Sequence, residues 1–397
     1  MQKNAATIAD KAGEKIEVSR ILDLRAFPDL PYRDKFTTRF EDILEDDAIR
    51  IVVETMGGLH PAYEYVKACL QAGKSVVTSN KELVAQKGDE LLAIAKENNL
   101  NFLFEASVGG GIPILRPLDQ CLAANEVYEI AGILNGTTNF MLAKMIDENM
   151  AFDEALALAQ KLGFAERDPS ADIDGLDACR KICILASLAF GKHVYPADVH
   201  TEGIRNITLT DVQYAAAAGG ALKLIGRAVR DGDKLYCWVA PMIVPKENIL
   251  SNVQGVFNAI MVRGDAIGDA VFYGRGAGKL PTASAVVADV IDEVKHIQNR
   301  KYFCWGPAEP DYVRDYRTAA QRTLLRFSCT DKKDAQRQIA AVFGAVEPVT
   351  AADVPAEELA FIAPKMTVNA LEEKLALLQN MMLMSRMALL DEGGPVC

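Results

Sequence analysis

The sequence contains no apolar stretch long enough to cross a membrane: a run such as Ile182 to Phe190 has nine residues, where about 20 are needed. Its first twenty residues carry several charges and no apolar core, so they do not read as a secretory signal. Histidine is scarce, and His60, His193, His200 and His296 stand far apart. The eight cysteines are scattered too, and the nearest pair, Cys179 and Cys183, has helical rather than zinc-type spacing. Such thiols read as the reduced cysteines of a cytoplasmic protein. An excess of positive charge is also lacking, since 43 Lys and Arg face 54 Asp and Glu for a net charge of −11. A surface of that sign cannot release counterions from a nucleic acid backbone, which excludes sequence-independent nucleic-acid binding. No long internal repeat or low-complexity segment is present.

What remains is a chain of 397 residues, half of them hydrophobic, which is long enough for two or three domains. The first third alternates short β-rich runs with helical patterns. Strands are expected at Lys15 to Leu24, Ile49 to Glu54, Ser75 to Thr78 and Asn101 to Ser107, and helices at Pro61 to Gln71 and Lys81 to Asn98. This alternation predicts an α/β fold with a doubly wound parallel sheet, whose ligands gather at the carboxyl ends of the strands. From Val127 the texture changes to strands mixed with alanine-rich helices, an α+β domain. After Arg317 the pattern reads as a small βαββαβ module, with a weak strand near Val346 to Thr350. The expected division is a nucleotide-binding domain over 1–112, to which 279–318 returns, a catalytic and dimerisation domain over 113–278, and a C-terminal module over 319–397.

Five stretches carry chemistry. Ser75 to Glu82 (SVVTSNKE) runs from a strand into a helix. Ser79 and Glu82 have capping-box spacing, yet Lys81 in the first turn faces the unfavourable end of the helix dipole and is better explained by a ligand. Glu105 to Pro113 (EASVGGGIP) places a carboxylate and a glycine loop at a strand end, a combination that suits a hard cation as well as a plain connection. Asn135 to Asn139 (NGTTN) opens a helix and offers amides to a carboxylate or phosphate, or simply an N-cap. Ala159 to Lys181 brings Glu166, Asp168, Asp172, Asp174 and Asp177 to the start of an apolar helix. There Asp177 and Lys181, four residues apart, share a face, and partial burial would bring the lysine towards proton transfer near neutral pH. Tyr273 to Lys279 (YGRGAGK) leads into another helix without matching the spacing of a Walker loop or a dinucleotide fingerprint.

These residues, in this order, resemble the homoserine dehydrogenase family. Ala159 to Lys181 meets every fixed position of that family's signature, and SNKE, EASVGGGIP, NGTTN and GRGAG are similar to its other blocks. The likeness covers most of Ile49 to Asp292. It implies an NAD(P)-dependent oxidoreductase interconverting L-aspartate 4-semialdehyde and L-homoserine, on the route to threonine, isoleucine and methionine. By resemblance, Lys181 is the proton donor and Lys81 the lysine beside the cofactor and the reacting carbonyl. Glu166 and Asp177, with Gly136 and Thr137, hold the substrate. Ser79, Gly57, Gly163 and Gly278 join Lys81 at the cofactor, and Glu105, Val108, Gly110 and Ile112 match a sodium site made mostly of backbone carbonyls.

The sequence departs from the family twice. The first strand and its G-x-G-x-x-G turn are absent before the segment at Asn4 to Val18, so the fold expected is a Rossmann-like sheet lacking both, in a truncated chain that binds the dinucleotide weakly. The tail resembles an ACT regulatory module, but Asp331-Lys-Lys-Asp334 stands in place of the usual Pro-Gly turn, so amino-acid feedback through that loop is not expected. NADP is favoured over NAD because Arg25 could meet a 2′-phosphate, although Asp23 could equally meet a ribose hydroxyl. A small-molecule substrate, no membrane, no nucleic acid, a homodimer or higher homo-oligomer and a cytoplasmic location complete the reading. Two alternatives stand beside it: a different semialdehyde dehydrogenase, with Cys179 as the candidate nucleophile of an acylating type, and a non-catalytic paralogue.

Overall fold

The computed structural model describes residues 1–301, 303–352 and 354–391. Three parallel strands, Ile51–Glu54, Ser75–Thr78 and Phe102–Leu103, pair in that order, with Val52 opposite Val76 and Val77 opposite Leu103. The connecting helices Ala62–Gln71 and Lys81–Glu97 pack on each other and on these strands, as βαβ crossovers require. The fold is α/β with a Rossmann-like unit. The amino-terminal part differs from expectation: of Lys15 to Leu24 only Ile21–Leu22 is a strand, paired with Phe36–Thr37 in a separate two-stranded sheet. Its residues are exposed or half-buried, so its alternating pattern has no core to face.

The helix Lys279–Lys295 comes back to pack on the Rossmann-like strands. Its contacts there include buried polar ones: Asp289 Oδ2 accepts the Glu105 amide at 2.8 Å, and Glu293 accepts from Asn101 at 3.3 Å. Burial raises the Asp289 carboxyl to about 7, with Arg116 opposing and Glu105 reinforcing the rise. A carboxyl whose folded-state pKa is raised contributes stability below its unfolded value, near 4, and loses it as pH climbs through the folded value. Asp289→Asn keeps the acceptor without the ionisation. Its unfolding free energy is therefore expected to gain on the wild type by up to about 1.4 kcal/mol per pH unit between pH 5 and 7; denaturant titrations at several pH values read this, and a pH-independent difference would refute it.

The second part is built on a ten-stranded sheet. Its order is Gly268–Arg275, Phe257–Gly264, Val127–Ile133, Gly220–Asp231, Lys234–Pro245, Met381–Leu389, Ala320–Cys329, Glu358–Thr367 and Glu347–Val349, with His200–Thr201 lying beside Lys234–Pro245. Lys234–Pro245 is buried along nearly its whole length because successive side chains enter different cores. Leu235, Cys237, Val239 and Ile243 face the large core that includes helix Leu176–Phe190; Tyr236, Trp238 and Ala240 pack with Ala319; Met242 and Val244 pack with Leu250 and Val253. Each fully buried aliphatic side chain adds about 1.5–3 kcal/mol.

The tail folds as strand Ala320–Cys329, helix Lys332–Phe343, strands Glu347–Val349 and Glu358–Thr367, helix Val368–Leu375 and strand Met381–Leu389. All pairs within it are antiparallel. Its last strand joins the larger sheet in parallel, Ala388 opposite Met242, and a buried Arg326–Asp211 ion pair of 2.6 Å fastens it to helix Leu209–Ala217.

Candidate active site

The helix Leu176–Phe190 starts abruptly because Gly175 takes a left-handed φ of +83°, a conformation costly for other residues. Its apolar remainder anchors it in the core, and its first turn points two charged groups at each other. Asp177 and Lys181 are 4% and 6% exposed, and Lys181 Nζ donates to Asp177 Oδ2 at 2.7 Å and to the Leu134 carbonyl at 2.7 Å. Lys81 reaches the same carboxylate from the Rossmann-like part, with Nζ 2.7 Å from Asp177 Oδ1 and 40% of its side chain exposed. One buried carboxylate is thus shared by two lysines from different parts of the chain.

Electrostatics separate the two lysines. Burial pushes the Lys181 ammonium down; Asp177 opposes this and Lys81 reinforces it, leaving Lys181 below the ordinary lysine value. Burial also pushes Lys81 down, but Asp177 and Asp172 outweigh it and the net shift is upward. For Asp177, burial favours the protonated form, yet the two ammonium groups prevail and hold it well below the usual carboxylate range. A buried ion pair of this kind is evidence of function more than of stability.

Asn135 caps helix Gly136–Glu148 by accepting the Thr138 amide at 2.8 Å. Its Nδ2 donates to Asp177 at 2.8 Å and to Asp172 at 2.7 Å. Asp172, whose carboxyl is raised by burial, therefore joins the cluster; its place within the acidic stretch was the only sequence signal for this, and Asn135 gave none beyond capping. Gly136 and Thr137 occupy the first turn of the same helix, with Thr137 Oγ1 donating to the Phe164 carbonyl at 2.7 Å. Glu166 and Gly163 are exposed in the segment after helix Phe152–Lys161, which this Thr137 bond ties to the start of the Gly136 helix.

At the strand ends the expected capping box does not form. Asn80, not Ser79, caps the Lys81–Glu97 helix by accepting from Leu83 at 3.1 Å. Glu82 instead meets Arg180 at 3.0 Å, a second ion pair between the Lys81 helix and the Lys181 helix. Asn80 also donates to the Gly58 carbonyl at 2.6 Å. Glu54, buried at the end of its strand, accepts from Met56 at 2.5 Å, Gly57 at 3.3 Å and Thr78 Oγ1 at 2.5 Å. The Gly57 turn and the Lys81 helix are thereby fixed to each other. A lone acid ending the apolar run IVVE was the signal that sequence reasoning overlooked.

The Glu105 carboxylate is already hydrogen-bonded. It accepts from the amides of Ile114, Leu115 and Arg116 at 2.7, 2.9 and 2.8 Å, and from Arg116 Nε at 3.3 Å. It acts as a buried cap, so a cation among Glu105, Val108, Gly110 and Ile112 would have to rely on backbone carbonyls. That loop interlocks with the GRGAG turn: a Cβ on Gly110 would lie 2.5 Å from the Gly276 carbonyl, and one on Gly276 would lie 1.9 Å from Asn258 Nδ2. Gly278 ends the turn as N-cap of Lys279–Lys295. Arg25 and Asp23 clasp each other through Arg25 Nε and Nη2 at 3.0 and 2.8 Å, so a 2′-phosphate would compete with Asp23 for the guanidinium.

A nicotinamide dinucleotide suits this arrangement at its reactive end. A Cβ on Gly57 or Gly58 would meet nothing within 4 Å, so the turn offers an open backbone surface, and it is tied through Asn80 to the helix that carries Lys81.

Comparison with known proteins converges on one family. Residues 113–291 match the family described as homoserine dehydrogenase, and residues 3–105 match the homoserine dehydrogenase NAD binding domain. The homoserine dehydrogenase of Synechocystis sp. is 49% identical over 262 residues, 65% of this chain and 60% of that protein. The match thus spans less than two thirds of that relative. The crystal structure of a homoserine dehydrogenase from Thiobacillus denitrificans superposes with a TM-score of 0.86 at 36% identity, covering 98% of this chain and 94% of that one. A hyperthermophilic archaeal homoserine dehydrogenase mutant in complex with NADPH superposes with a TM-score of 0.58 at 30% identity, over 73% of this chain and 82% of that one.

Proposed function

Since the chain belongs to the homoserine dehydrogenase family, we propose that it interconverts L-aspartate 4-semialdehyde and L-homoserine with NAD(P). The observation that carries this reading is the Lys81–Asp177–Lys181 cluster. A bound nicotinamide supplies the hydride in one direction and takes it in the other. The chain's own work is to bind, orient and move a proton. An ammonium has three N–H donors; Lys181 commits two to Asp177 and Leu134 and turns the third to the substrate oxygen. Its lowered pKa makes it the better proton donor near neutral pH, while Lys81, held protonated, stabilises the charge developing on that oxygen. The amides of Gly136 and Thr137 at the helix N-terminus hold the substrate carboxylate. Asp177 and Glu166 receive its ammonium group.

Gly57, Ser79, Lys81, Gly163 and Gly278 hold the cofactor in this reading, and NADP is favoured because Arg25, once it exchanges Asp23 for the 2′-phosphate, can pair with it. Backbone carbonyls of Glu105, Val108, Gly110 and Ile112 form the sodium site. The domains divide as 1–112 with 279–318, 113–278, and 319–397. The tail is an ACT-like regulatory module, a reading supported by its antiparallel strands and by a cavity of about 230 Å³ at its seam with the second domain, lined by His200, Tyr316, Arg317, Glu372 and Arg386. The edge strand Gly268–Arg275, with Tyr273 exposed, supports a homodimer. A cytoplasmic location completes this reading; no helix among the described residues is long and apolar enough to cross a membrane. The test is an NADPH-linked assay: oxidation of NADPH is expected with aspartate semialdehyde, and its absence at millimolar substrate would overturn the proposal.

A further inference from the structure

Asn258 is 1% exposed, and neither its Oδ1 nor its Nδ2 has a hydrogen-bond partner among the described residues. Each buried group left unpaired costs about 1–3 kcal/mol, and the rest of its strand, Phe257–Gly264, consists mainly of buried apolar residues. A neighbouring amide shows the ordinary state. Asn139 donates to the carbonyls of Val253, Gly255 and Phe257 at 3.0–3.2 Å and accepts from the buried Lys223 at 3.1 Å. Local structure here satisfies its polar groups, and Asn258 is an exception that needs a reason.

Its surroundings supply one. Asn258 stands opposite Gly274 in register, at the junction of the two glycine turns assigned above to substrate and cofactor. A Cβ on Gly276 would strike its carboxamide at 1.9 Å, and a Cβ on Gly136 would come within 3.5 Å of Oδ1. The side chain is thus wedged between the GRGAG turn and the first residue of the helix that opens with NGTTN. Buried groups left unsatisfied at such junctions are a form of strain that ligand binding can relieve.

We propose that Asn258 is a positioning residue of this active site: its carboxamide, already wedged between the GRGAG turn and the Gly136 helix, takes up hydrogen bonds from the backbone of these turns as they order around bound ligand, tying the cofactor turn to the substrate turn. The proposal rests on the dehydrogenase reading above. Asn258→Leu and Asn258→Ala remove the polar atoms, and the alanine adds nothing at the Gly276 contact. Expected are ligand-free melting temperatures equal to or above the wild type, together with KM for NADPH and for aspartate semialdehyde raised about tenfold, the equivalent of one hydrogen bond. The pH profile keeps its midpoints, because Asn258 touches neither lysine nor Asp177. Lower melting temperatures in both variants with unchanged KM would make Asn258 an ordinary packing residue and overturn the proposal. Should the wild type fail to oxidise NADPH, the dehydrogenase reading fails, and the melting comparison alone still decides: a rise in the variants supports the held carboxamide, a fall refutes it.

Discussion

Lys181→Ala is expected to lower kcat for semialdehyde reduction by about 10²–10⁴-fold, the range for losing a positioned proton donor. Lys181 lies in the core's edge, bonded to Asp177 and to the Leu134 carbonyl, and alanine leaves no donor at that position. Lys81 keeps its 2.7 Å contact with Asp177, so the carboxylate retains one counter-ion and the fold survives. KM should change far less than kcat, because the Gly136 helix terminus and the Gly57 turn remain. A kcat loss below about tenfold would move proton transfer to Lys81.

Asp177→Asn is expected to act on stability and rate together. It leaves Lys181 buried without its carboxylate, and removal of one partner from a buried pair costs about 3–5 kcal/mol. Because Asp177 is the group that pulls the Lys181 pKa upward against burial, its loss drives that pKa lower still. Sign by sign, more Lys181 is then neutral at assay pH, less proton is available for the alkoxide, and kcat falls. Lowering the pH reprotonates the lysine, so the ratio of wild-type to variant activity should shrink as pH falls. A ratio constant between pH 6 and 9 would contradict this. Thermal denaturation checks the first effect and initial rates the second.

The Asp177–Lys181 contact was legible because residues four apart on a helix meet, and the apolar run after Lys181 announced that the meeting would be buried. The strand Ser75–Thr78 was legible to the residue for a similar reason, a β-branched run closed by a helix start. Lys81 on the same carboxylate was not legible without the resemblance, since 96 positions separate the two and only the crossing of two helices joins them. Ser79 and Glu82 show the same limit. Their spacing satisfied a capping box, but Asn80 sits better for the Leu83 amide and Arg180 draws Glu82 away. A carboxylate beside glycines suited a cation as well as a plain connection; that three backbone amides nine to eleven residues later bond to Glu105 was not legible, because only the fold of the loop brings them there. Asn258 carried no sequence signal, because its meaning lies in what surrounds it and fails to bond to it.

One carboxylate sets two lysines apart, with Lys181 low and Lys81 high. The most direct test is the pH dependence of kcat/KM for semialdehyde reduction in the wild type and in Lys81→Met. Lys81 pushes the Lys181 pKa down, so the wild type should lose activity on an alkaline limb below the ordinary lysine value of about 10.4, and the variant's limb should move to higher pH whatever its absolute rate. An alkaline limb that stays in place without Lys81 would contradict the assignment of Lys181 as the proton donor.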